Sequence, residues 1–151
     1  MIRIICIGTA LAALTSCAET TDCQNWTTYE FFEDASVQDV AGCLSTGASV
    51  NAVDRDGGTP LHLAAMGTEN PDVIKALIAV GADVNARDLA QRTPLHWAAL
   101  INDNPSVFVA LIDAGADVNA QDVWGQTPLH EANVVSNNTA VIKVLTDAGA
   151  Q

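Results

Sequence analysis

The 151 residues suit one domain of ordinary size, with 49% hydrophobic residues but only 5% aromatics, so a core has to be built from Ala, Val, Leu and Ile, which favours thin, closely packed helices. Six Lys and Arg against 18 Asp and Glu give a formal charge of −12, which makes nucleic acid and anionic lipid headgroups poor partners and a basic protein or a cation better ones. The same charge also serves to keep a protein with an apolar binding face in solution.

At the N-terminus, Arg3 precedes the apolar run Ile4 to Leu14, too short to span a bilayer but the right length for the core of a signal peptide covering residues 1–18. Two endings fit. Leu14-Thr15-Ser16-Cys17 resembles the lipobox of bacterial lipoproteins, with Cys17 lipidated; alternatively Ser16 and Ala18 frame cleavage after Ala18. The expected location is the periplasm, free or anchored to the outer membrane through that lipid. Export places the mature chain in an oxidising compartment, where Cys23 and Cys43 are the natural pair. Against this, Cys43 falls at a position held by Leu77, Leu111 and Leu145, where a free Cys serves as a small buried hydrophobe.

Residues 19–55 read as a short polar tether followed by an N-terminal cap or degenerate repeat. Trp26, Tyr29, Phe31 and Phe32 supply a bulky aromatic helix, then Ser36 with Asp39 three residues on predicts a capped second helix that ends at Gly47. Beyond it the chain repeats. Thr59-Pro60-Leu61-His62-Leu63-Ala64-Ala65 returns 34 residues later as Thr93-Pro94-Leu95-His96-Trp97-Ala98-Ala99, and after 34 more as Thr127-Pro128-Leu129-His130-Glu131-Ala132-Asn133. In the same phase, Gly47-Ala48-Ser49-Val50-Asn51-Ala52 recurs from Gly81 and from Gly115. The Thr residues are expected helix N-caps with hydroxyls accepting amides, and the Pro residues sit at the first helical position. Asn70-Pro71, Asn104-Pro105 and Asn138-Thr139 open second helices, whose apolar faces are Val73, Ile74, Leu77 and Ile78 and their equivalents.

These two motifs in fixed phase resemble the ankyrin repeat family from about Val37 to the C-terminus. The resemblance implies an all-α solenoid of helix-turn-helix units with short hairpin loops, about three repeats (56–88, 89–122 and 123–151) plus the N-terminal capping unit. The familiar unit has about 33 residues and a Gly-His turn between its helices; here Glu69-Asn70-Pro71 and its equivalents carry one residue more, so that loop should be slightly longer. Glu131, Asn133 and Thr146 bring polarity to core positions, the expected mark of a C-terminal cap facing water, and the array reads as complete.

Chemistry is not evident in this pattern. Zinc ligands converge at ~2 Å from one ion, whereas equivalent residues of successive repeats stand ~8–10 Å apart, so the three His cannot share one. By resemblance, His62, His96 and His130 hydrogen-bond to backbone in the linking turns, and Asn51, Asn85 and Asn119 satisfy turn amides between repeats. Asp54, Asp88 and Asp122 form a row at the hairpin starts, unlike a locally unique acid and base pair. No phosphate-cradling loop or clustered calcium-loop spacing occurs, so neither catalytic residues, metal nor cofactor are expected.

The resemblance places partner binding on the concave face. By position its hairpin tips are Arg55 and Asp56; Leu89, Ala90 and Arg92; and Val123, Trp124 and Gln126, with Met66; Leu100 and Ile101; and Val134 and Val135 on the first helices. Leu89, Val123 and Trp124 are unusual in tips, and with the helix residues they would form an apolar stripe of the kind that marks an interface. The competing reading has the longer inter-helix loop covering Leu100 to Val135 as ordinary core. The expectation is a monomeric, non-catalytic protein-binding module in the bacterial cell envelope, whose partner has a basic rim around an apolar contact. An inhibitor or immunity-type protein that blocks an envelope enzyme, and an enzyme with an unrecognised site, stay open.

Overall fold

Threonine followed by proline starts a helix without wasting a donor, because proline lacks an amide where none is needed. That dipeptide opens α3 (Pro60–Gly67), α5 (Pro94–Ile101) and α7 (Pro128–Glu131), and Asn70 and Asn104, with Pro following, open α4 (Pro71–Ala79) and α6 (Pro105–Asp113). Asn138 opens α8 (Thr139–Asp147). Ahead of these lie α1 (Tyr29–Glu33) and α2 (Val37–Ser45), the latter closed at its start by the reciprocal Ser36 and Asp39 bonds that the sequence predicts. The structure, a computed structural model, describes residues 23–136 and 138–151. The expected leader, the expected lipidation at Cys17 and positions 19–22 of the expected tether lie outside those residues.

The helices stack as pairs: α3 packs between α1 and α5, α4 between α2 and α6, and α7 and α8 follow on α5 and α6. No helix of the described residues is long and apolar enough to cross a membrane. Where second helices end, Gly47, Gly81, Gly115 and Gly149 take φ of 90 to 101°, the left-handed conformation that lets the chain turn into the next unit. The core is one continuous row through the stack. Cys43, Leu77, Leu111 and Leu145 are each fully buried at equivalent positions, as are Leu61 and Leu95, while the Ala pairs Ala64-Ala65 and Ala98-Ala99 let first helices approach closely.

Cys43 is both a core residue and bonded: its sulfur forms a disulfide with Cys23, which pins the segment ahead of α1 onto α2. The indole N–H of Trp26 donates to the Ser49 carbonyl at 2.8 Å, and the rings of Trp26, Phe31 and Phe32 pack at 4.9 to 5.7 Å. These rings join the continuous core at its N-terminal end.

The extra residue between helices has a use. Asn104 and Asn138 donate from their side chains to the carbonyls of Glu69 and Asp103 in the loop of the preceding repeat. Buried Asn102 goes deeper, donating to the Ala65 and Thr68 carbonyls at the end of α3 at 2.9 and 2.8 Å and accepting from the Asn104 amide. Carbonyls that α3 cannot bond itself are thus satisfied by the next repeat.

The third repeat departs from the others. Its first helix keeps only Pro128–Glu131 in α geometry and continues as a π-helical turn over Ala132–Ser136. The Asn133 side chain donates to the Leu129 carbonyl at 2.9 Å, competing for an acceptor that the Asn133 amide would use in an α-helix. Asn133 and Thr146 are exposed, as expected at polar replacements. Glu131 is not: it is 6% exposed and Arg92 of the preceding repeat reaches it, so its acidity answers a half-buried cation rather than water.

Candidate functional site

The rows of polar residues that invite a chemical reading are consumed by the links between repeats. His62 Nδ1 accepts the Thr59 amide at 3.1 Å, which places the proton of the neutral ring on Nε2, and Nε2 donates to the Arg92 carbonyl one repeat on at 3.1 Å. His96 repeats this with the Thr93 amide and the Gln126 carbonyl. The threonine hydroxyls at both sites lie 2.9 and 3.0 Å from Nδ1, so the imidazole rather than an acidic side chain closes these helix starts. Both rings are fully buried, and burial pushes both imidazoles below the usual value of 6.5, against the opposing pull of the carbonyl each donates to and of nearby carboxylates.

His130 does not follow the pattern. It is exposed, its amide donates to the Thr127 hydroxyl at 3.4 Å, and its Nε2 meets the Gln126 side chain at 3.3 Å rather than a turn carbonyl among the described residues. The expected backbone bond therefore holds for two of the three histidines. The asparagine row holds throughout: the Asn51, Asn85 and Asn119 amides donate to the Gly81, Gly115 and Gly149 carbonyls, and their oxygens accept from Asp83, Asp117 and Gln151 amides. Asp54, Asp88 and Asp122 each accept two tip amides through Oδ1 at 2.8 to 2.9 Å, which shapes the hairpins.

What is left over is a surface. The tips are joined in series, since the Leu89 amide donates to the Asp56 carbonyl and the Val123 amide to the Ala90 carbonyl, at 2.9 and 3.0 Å. Leu89, Val123 and Trp124 stand on this row 75%, 55% and 64% exposed. At the far ends of the first helices Ile101, Val134 and Val135 are also exposed, Val134 to 68%, so the longer loop does not cover them. Leu100 and Met66 are half-buried, Arg55 and Asp56 are exposed, and Ala90 and Gln126 are half-buried in the tips. The apolar character thus grows from the first repeat to the third.

Arg92 stands apart from the other tip residues. Its guanidinium carbon lies 5.1 Å from the Trp124 ring centroid, Nε is 3.7 Å from Asp122 Oδ2, and a terminal nitrogen is 3.9 Å from Glu131 Oε1. It faces into the molecule behind Trp124. Sequence reasoning also passed over Gln91, which has φ of 62° where Gly57 and Gly125 take 81° and 76° in the neighbouring tips. A side chain held in left-handed backbone is the kind of local cost that collects at functional surfaces. The signal was present in the alignment of the three tips, where Gln91 interrupts a row of glycines.

A family model for ankyrin repeats, three copies in extent, matches residues 34–122 and, in a second overlapping placement, 89–151. No curated protein matches the chain.

Proposed function

The chain belongs to the ankyrin repeat family, whose repeats generally mediate protein–protein interaction, and from that premise we propose a non-catalytic binding module of the bacterial cell envelope. The observation that carries the reading is the exposed row of Leu89, Val123 and Trp124, set on tips that are hydrogen-bonded to one another and so preformed before any partner arrives. A rigid surface loses little ordering entropy on association, and a large exposed indole is the side-chain type on which interface energy concentrates. The partner is a protein with an apolar contact ringed by basic residues. Charge complementarity supports this, because the chain is at −12 and Lys75 and Lys143 on the second helices are already paired with Asp72 and Asp147.

Location in the envelope draws on the leader-like N-terminus and on the Cys23 to Cys43 disulfide, which persists in oxidising compartments. Anchorage through lipidated Cys17 and a monomeric state belong to the same proposal. Replacing Leu89 and Trp124 together by Ser tests it. Partner recovery from intact cells should be lost while helical circular dichroism is unchanged, since both side chains point to solvent; undiminished recovery removes the face.

A further inference from the structure

Trp124 is the most conspicuous side chain of the exposed row, and what holds it is peculiar to its repeat. In the second repeat Asp88 uses Oδ1 for the tip amides and Oδ2 for the indole N–H of Trp97, at 2.8 Å. In the third repeat Glu131 takes the place of Trp97, so Asp122 Oδ2 has no indole to accept from. Arg92 faces it instead. Arg92 replaces Gly58 of the first repeat, and Glu131 stands where the first repeat has buried Leu63.

We propose that Arg92 is a positioning residue, held between the Asp122 and Glu131 carboxylates so as to fix the Trp124 indole in the orientation in which the tip presents it. The ion pairs are at 3.7 and 3.9 Å, and Arg92 Nε, Asp122 Oδ2 and Glu131 Oε1 are all buried without a hydrogen bond. Two nearly inaccessible carboxylates sharing one guanidinium at these distances are a poor way to stabilise a fold, and the first repeat closes the same place with leucine. What the trio does supply is a cation fixed against an indole that is 64% exposed. The fixed ring then meets its partner without first having to be ordered.

That Trp124 touches a partner rests on the binding face proposed above; that Arg92 holds it does not. The full chain labelled with 5-fluorotryptophan gives a fluorine NMR signal for Trp124, assigned by its disappearance in Trp124→Phe. Arg92→Met leaves Asp122 and Glu131 uncompensated, so the informative variant is Arg92→Met with Glu131→Leu, which removes one of the two stranded carboxylates. Its thermal midpoint should lie above that of Arg92→Met alone, yet the Trp124 signal should shift and narrow toward that of free indole and acrylamide should quench the residue more strongly. Arg92→Lys, which keeps the charge but loses the planar group, should give an intermediate signal. Unchanged shift, linewidth and quenching in the double variant would overturn the proposal. Partner recovery on the same variants separates the two ideas: a moved signal with full recovery keeps the brace and removes the face, whereas an unmoved signal with recovery lost in Trp124→Ser keeps the face and removes the brace.

Discussion

Single side chains here act mostly as connectors, and the clearest consequence is for pH. His62 and His96 are buried and depressed below 6.5, whereas the unfolded chain binds their protons near 6.5. Between that value and the lower folded values the unfolded state holds more protons, so stability is complete above about pH 7 and falls as pH drops through 6.5. Thermal midpoints followed from pH 8 to pH 5 should show that decline, and the pair of variants His62→Gln and His96→Gln combined should flatten it. Asn102 offers a sharper test of the links. Replacing it by Ala leaves the Ala65 and Thr68 carbonyls without their donor and should cost about 2–3 kcal/mol in urea unfolding. Gln91→Gly should act oppositely, relieving left-handed backbone and raising stability by about 1 kcal/mol.

At the scale of elements, the first helix pair shows how a short unit is made secure. Its first helix has only five residues, less than the length at which isolated helices persist, and its hold comes from the aromatic cluster and the Cys23 to Cys43 bridge. Cross-linking positions 20 residues apart restricts the unfolded chain by about 3 kcal/mol. Adding reductant should lower the urea midpoint of the whole chain accordingly, and Cys23→Ser with Cys43→Ala should reproduce that loss without reductant.

Elements of this kind were legible in the sequence because helix starts, helix stops and apolar faces recur in phase; Thr-Pro, Asn-Pro and the Gly-Ala pair needed nothing beyond local chemistry. The exposure of Leu89, Val123 and Trp124 was legible too, since tips have little behind them. Glu131 was not, because its partner Arg92 lies in another repeat at a position that holds Gly58 and Gln126 elsewhere. The π turn over Ala132–Ser136 was hidden for a similar reason: it accompanies one side-chain bond, from Asn133 to Leu129, that the other repeats lack.

The whole molecule is a row of units in which each touches its neighbours, joined along one edge by the Asn51, Asn85 and Asn119 bridges and along another by Asn104 and Asn138. Such a scaffold fixes shape and leaves specificity to the side chains that face outward. With a formal charge of −12, association with a basic-rimmed partner should be steered over long range and slow as salt rises, while the apolar contact governs dissociation.

The most direct test of the proposed face is site-specific photocrosslinking in intact cells, with a photoreactive amino acid placed in turn at positions 89, 124, 75 and 143. Positions 89 and 124 lie on the tips, 75 and 143 on the second helices. The same protein should crosslink from both tip positions and from neither helix position. Capture of that protein with equal yield from positions 75 and 143, or from those alone, would contradict the account.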